Sequence, residues 1–129
     1  MAHQDIELAY WAFGHLQRDD VDGFLSYVAP EAEWHSYLPR VEGTFHGHQG
    51  VREWWSTLRS ELVESPPWVE EARDLGEWIL LGARAEGSRA EADGCGEFWQ
   101  ILKVPERQIT HYAAFPSSEE AVGAAGTAE

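Results

Sequence analysis

This sequence is poor in the residues that several kinds of chemistry depend on. One cysteine in 129 residues, Cys95, allows neither an internal disulfide nor a cysteine-built zinc site. Asp93 and Glu97 flank it closely and oppose a reactive thiolate. Basic side chains are scarce: nine Lys and Arg, of which only Lys103 is a lysine, stand against 23 Asp and Glu, for a net charge of −14. That field repels phosphate backbones and anionic bilayers, so neither a nucleic acid nor a membrane is expected as partner. No apolar run approaches the roughly 20 residues that span a bilayer. The opening Met1-Ala2-His3-Gln4-Asp5 has neither the basic nor the apolar region of a secretion signal, and a cytoplasmic protein is expected. A nucleophile-elbow Gly-x-Ser-x-Gly and a phosphate-cradling glycine motif are both lacking.

What is present is a core. The chain is 43% hydrophobic and carries seven tryptophans. At this length, folding buries roughly two-thirds of the unfolded surface, enough for one domain without a structural metal.

Ile6, Ala9, Tyr10, Phe13 and Leu16 follow helical spacing after Asp5 as N-cap. Asp20 caps a second helix bearing Val21, Phe24, Leu25 and Val28, which Pro30 closes. Ala32 to Ser36 reads as a short strand, followed by a loop marked by Pro39 and Gly43. A third helix opens over Gly47 to Gly50, places Val51, Trp55, Leu58 and Leu62 on one face, and stops at Pro66-Pro67. Four strands follow: Trp68 to Leu75, Glu77 to Glu86, Gly96 to Val104 and Arg107 to Phe115. Ser117 or Ser118 caps a brief acidic helix before a Gly/Ala end that should fray. Helices first and a strand meander afterwards predict an α+β fold.

Asp20-Val-Asp-Gly-Phe-Leu, Glu33-Trp-His-Ser, Glu42-Gly-Thr-Phe-His-Gly-His-Gln-Gly-Val-Arg-Glu-Trp-Trp and Phe115-Pro-Ser-Ser-Glu-Glu-Ala occur in that order. Together they resemble a SnoaL-like domain of the nuclear transport factor 2-like superfamily, from about Ile6 to Gly126. The resemblance implies a single domain over 1–129, with a core over about 6–117 and a short helix with a frayed tail over 118–129. It implies a cystatin-like cone: a strongly curved antiparallel sheet wrapped around three helices, with an apolar pocket at one end. Such domains commonly dimerise through the outer sheet face. The ketosteroid isomerase relatives carry a base at the place of Ser36, and the polyketide cyclases an acid at the place of Ser117. Neither residue here is a carboxylate. Epoxide hydrolases of the superfamily use an Asp-Arg-Asp set, for which only Arg84 offers a candidate. Arg107 stands where many relatives have a turn glycine, and Ala113 where a larger polar side chain often stands beside Phe98.

The last two strands allow the faces to be assigned. A two-residue turn at Pro105-Glu106 would pair Leu102 with Ile109, Gln100 with His111 and Phe98 with Ala113. Phe98, Gln100, Leu102 and Ile109 then face the helices, with Gln100 and His111 a polar pair amid an apolar lining. Imidazole changes charge near neutral pH, so His111 is the candidate acid/base and Gln100 the group that orients a ligand. Trp34, Ser36, Phe13, Trp55 and Phe98 are the candidate lining residues. Trp99, Ile101 and Tyr112 fall on the other face, an apolar patch on which a homodimer is expected unless the chain's own tail covers it. His46-Gly-His48 with His35 has chelating types, but His48 suits a hydrogen bond at the helix start, and no metal or other cofactor is expected. Three functions stay open. The first is an isomerase or cyclase acting by proton transfer on a hydrophobic, oxygenated ring compound. The second is a non-catalytic binder of such a molecule, and the third a dimeric structural or partner-binding module whose cone its own aromatics fill.

Overall fold

The computed structural model describes residues 2–61, 67–85 and 96–127. Helix α1 (Ala2–Gln17) is followed by α2 (Val21–Leu25), strands β1 (Val28–Ser36) and β2 (Gly43–His46), and helix α3 (Gly47–Glu61). Strands β3 (Trp68–Asp74), β4 (Ile79–Arg84), β5 (Glu97–Lys103) and β6 (Ile109–Phe115) come next, and helix α4 (Ser118–Thr127) ends the chain. Leu62, Pro66, Glu86 and Cys95 lie outside the described residues.

The six strands form one sheet in the order β2-β1-β6-β5-β4-β3. Its ladders are antiparallel except β1–β6, which is parallel, so the sheet is mixed. β1 begins earlier than the hydrophobic alternation indicates and runs through Pro30, where its pairing with β6 slips between Val28 and Glu33. Proline lacks a donor N–H and is tolerated in strands at such irregularities. The short β2 was expected as loop; its outward polar residues hide the period.

Helices α1, α2 and α3 fill the concave face. Leu8, Ala9, Ala12, Phe13 and Leu16 of α1 are buried, whereas Tyr10 is exposed, because the apolar stripe runs through the alanines rather than the tyrosine. Asp5 lies in the first turn of α1 rather than capping it. Asp20 does cap α2, accepting the Gly23 N–H at 3.0 Å. On α3, Val51, Trp54, Trp55 and Leu58 face inward. Gly47 makes the turn from β2 into α3 at φ +67°, and a Cβ there would sit 3.0 Å from the Pro30 carbonyl oxygen.

The short helix expected after Ser117 is present and extends to Thr127. Ser117 caps α4, accepting the Glu120 N–H at 3.2 Å while its hydroxyl donates to the Glu120 carboxylate at 3.0 Å. α4 packs on the outer sheet face, burying Ala121 and Ala125 with Leu80, Ile101, Ala113 and Phe115. The fold is therefore α+β, a sheet curved over three helices with a fourth on its back.

Candidate functional site

The concave face of β5 and β6 is set by their register. Lys103 pairs with His111, Leu102 with Tyr112 and Gln100 with Ala114. The turn expected to hold two residues is a wider 3-10 turn, Pro105–Arg107, in which Glu106 and Arg107 both take left-handed backbone angles (φ 54° and 67°). The partner of Gln100 consequently moves from the expected His111 to Ala114. An odd displacement turns the paired β6 side chains, His111 to Phe115, to the opposite face, while Ile109, ahead of that ladder, keeps its expected place in the inner core. His111 is outside the cone, and Tyr112 takes the inner position expected for its neighbour.

Tyr112 organises the interior. It stacks on Trp34 (4.3 Å, 11°), meets Trp54 edge-on (5.1 Å, 65°) and approaches Phe13 at 6.2 Å. Its hydroxyl donates to Gln100 Oε1. Burial pushes the Tyr112 phenol well above its ordinary value, so it stays a neutral donor. Gln100 is only 3% exposed. Its partner is thus a phenol, not the predicted imidazole.

Beside Gln100 is a cavity lined by Phe13 and Leu16 of α1, Trp54, Trp55 and Leu58 of α3, and Val69, Ala83 and Phe98 of the sheet. It has room for about 10 Å³ of occupant, the space of a single water. Of the candidate residues, Phe13, Trp55, Phe98 and Gln100 meet around it. Trp34 and Ser36 lie away from it on β1: Trp34 in the aromatic stack, and Ser36 with Oγ 3.4 Å from the Leu38 N–H. Trp54, which the helical pattern passed over in favour of Trp55, lines the cavity, and its buried indole N–H lacks a partner among the described residues.

Trp55 is fastened from outside. Asp19, at φ 60°, accepts the Trp55 indole N–H at 2.9 Å and pairs with Arg59 at 2.9 Å, while the Arg59 guanidinium lies 5.7 Å from the Trp55 ring centre. The Trp55 hydrogen bond, joined by Arg59 and opposed by partial burial, holds the Asp19 carboxyl below its ordinary value. Two successive aspartates in the sequence signalled a helix boundary but gave no sign of this contact.

Among the described residues the only buried polar side chains are Ser36 and Gln100, with the Tyr112 hydroxyl beside Gln100. No carboxylate, imidazole or ammonium of the described residues is buried with them. Arg84 points outward and pairs with Glu70 (3.0 Å) and Glu97 (2.7 Å). Ala113 faces outward opposite Ile101 instead of enlarging the cone. His48 donates from Nε2 to the Val28 carbonyl at 2.8 Å rather than to the helix start. Among the described residues no group of three His, Cys, Asp or Glu side chains could hold a metal ion.

On the outer face, Trp99 and Lys103 lie where alternation put them. Ile101 is there too, but beneath α4, and Tyr112 is inside the cone. Of the three side chains expected at a dimer surface, only Trp99 keeps partial exposure. The His111 Nδ1 is 3.0 Å from Thr110 Oγ1, and its Nε2 is 3.7 Å from the Glu33 carboxylate.

A curved sheet closed over three helices around a small apolar cavity defines a cone-shaped α+β domain. The SnoaL-like domain family model matches residues 9–112, and the chain belongs to that family. Among solved structures, an NTF2-like protein from Burkholderia thailandensis is similar at 17% identity and a TM-score of 0.71, over 95% of this chain and 97% of that one. TerC, co-crystallized with polyporic acid, is similar at 17% identity and a TM-score of 0.68, over 92% and 98%. A putative polyketide cyclase from Sinorhizobium meliloti is similar at 15% identity and a TM-score of 0.64, over 84% and 93%. These likenesses show the fold. No curated protein matches the chain. Among the described residues, no helix is long and apolar enough to cross a membrane.

Proposed function

We propose that this domain is a non-catalytic binder of a small, hydrophobic, oxygenated ring compound, held at the cavity beside Gln100. The observation that carries this reading is the lining: aromatic and aliphatic walls around one buried carboxamide, the composition of a small-molecule site. The amide of Gln100 and the unpartnered N–H of Trp54 would serve the ligand's oxygen. Proton transfer is not part of the reading: His111 lies outside the cone, and the Tyr112 phenol beside Gln100 is held neutral by burial with its O–H already donating to that amide. The likeness to TerC, crystallized with an organic molecule, accords with a ligand-binding cone.

Admitting a ring compound requires lining side chains to move, since the room present holds about 10 Å³. That same closure favours the second reading, a structural module whose aromatics fill its own cone.

The two readings separate in a titration with 2-naphthol followed by tryptophan fluorescence. Binding in the cone gives saturable quenching, weakened at least tenfold by Ala83→Leu, which occupies the cavity, and weakened by Gln100→Leu. An unsaturable response in the native protein, with all variants folded, leaves the filled cone as the function of this interior.

A further inference from the structure

We infer that the outer face of the sheet carries a separate site for a small aromatic carboxylate. A groove of about 280 Å³ runs there between β1, β6, β5 and α4. It is far roomier than the cone's cavity and near the lower end of ligand-sized pockets.

One wall is Tyr37, 53% exposed and stacked on Phe115 at 4.9 Å and 17°. Ile101 and Ala113 lie between this wall and Trp78. A flat ring fits such surroundings. The polar end of the groove is basic: Lys103, His35 and His111 line it, and among the described residues no carboxylate does. In a chain with 14 excess negative charges, the sole lysine and two of the six histidines converge here.

The Lys103 ammonium is 4.8 Å from the Trp78 ring centre and has no carboxylate partner among the described residues. Trp78 orients it by a cation–π contact that leaves its remaining donors for an anion. Glu33 is 3.7 Å from Nε2 of both His35 and His111. It ties the two imidazoles together on the β1 side and leaves Lys103 as the charge available to a ligand. Beyond Lys103 and His111 the surface continues into a depression bordered by Asp5 and Glu77. Those carboxylates repel an anion and confine it to the Tyr37 side. A monocarboxylate with one or two rings satisfies all of this: ring against Tyr37, Phe115 and Ile101, carboxylate on Lys103 Nζ.

The proposal is independent of the cone, and calorimetric titration with 2-naphthoate distinguishes them. The native protein binds it saturably; Lys103→Gln weakens binding at least tenfold and Ala113→Leu, which fills the groove, abolishes it. Ala83→Leu in the cone leaves it within twofold. Circular dichroism verifies that each variant is folded. Absence of saturable binding, equal affinity in Lys103→Gln, or loss through Ala83→Leu each overturns the inference. So does a dimer in sedimentation that dissociates on Tyr37→Ser, since a second copy would then occupy the groove.

Discussion

At the residue scale, the interior depends on one polar pair. The Tyr112 hydroxyl donates to the Gln100 side chain, and both residues are buried. Tyr112→Phe keeps the ring stack but leaves Gln100 Oε1 without its donor, at a cost of about 1–3 kcal/mol. Urea unfolding should show that loss, and adding Gln100→Leu should restore part of it, since the second change removes the stranded acceptor. Asp19 makes a second prediction. Its carboxyl is held below the ordinary value in the folded state, so its stabilising effect is complete above the unfolded value of about 3.9 and disappears as pH falls through the folded one. Asp19→Asn retains an acceptor for the Trp55 indole and tolerates the positive φ, but removes the charge facing Arg59. Thermal melts should therefore place it below the native protein at pH 7, with the difference narrowing steadily below pH 4. An unchanged gap in acid would show that the carboxylate's charge is not involved. Neither contact was readable beforehand, because Asp19 and Trp55 are far apart in sequence and the tyrosine's face depended on a turn.

That turn belongs to the element scale. Alternation correctly put Phe98, Gln100 and Leu102 inward and Trp99 and Lys103 outward, because burial fixes a strand's own period. Relative register between strands is a property of their connection, and the sequence Pro-Glu-Arg does not announce two successive left-handed residues. Such conformations cost roughly 1–2 kcal/mol in residues with a Cβ. Arg107→Gly should relieve part of this and raise stability by up to about 1 kcal/mol, less than the full strain because glycine also loosens the unfolded chain. Arg107→Val, branched at Cβ, should destabilise; denaturant midpoints of the two variants test the sign. The C-terminal helix was expected, but as a brief one, and its full length to Thr127 was hidden for another reason. Its alanines and glycines carry little hydrophobic signal, yet small side chains let α4 lie close on Leu80, Ile101 and Phe115. Removing 118–129 uncovers that surface, and the truncated chain should self-associate in sedimentation, as a contiguous apolar patch does. A monomeric, equally stable truncation would show that α4 adds no cover.

Over the whole molecule, the family's architecture could be read from ordered fragments, whereas its interior chemistry could not. Ser36 and Ser117, where the family resemblance implies carboxylates in the isomerases and cyclases, are spent here on a backbone contact and a helix cap. Charge is the remaining global feature. Arg52, Arg59, Arg73 and Arg84 already pair with acids, and surface pairs of this kind contribute about 0–1 kcal/mol each. Fourteen excess negative charges have no basic counterpart anywhere in the sequence. Their mutual repulsion acts over the whole surface and disfavours the compact state. Salt weakens both effects, shrinking the screening length from about 10 Å at 0.1 M to about 3 Å at 1 M. With unpaired acids outnumbering the nine possible pairs, the relief of repulsion outweighs the loss of attraction. Melting temperature should therefore rise between low salt and 0.5 M sodium chloride. A fall over that range would mean that the arginine pairs, rather than net charge, govern the electrostatic part of its stability.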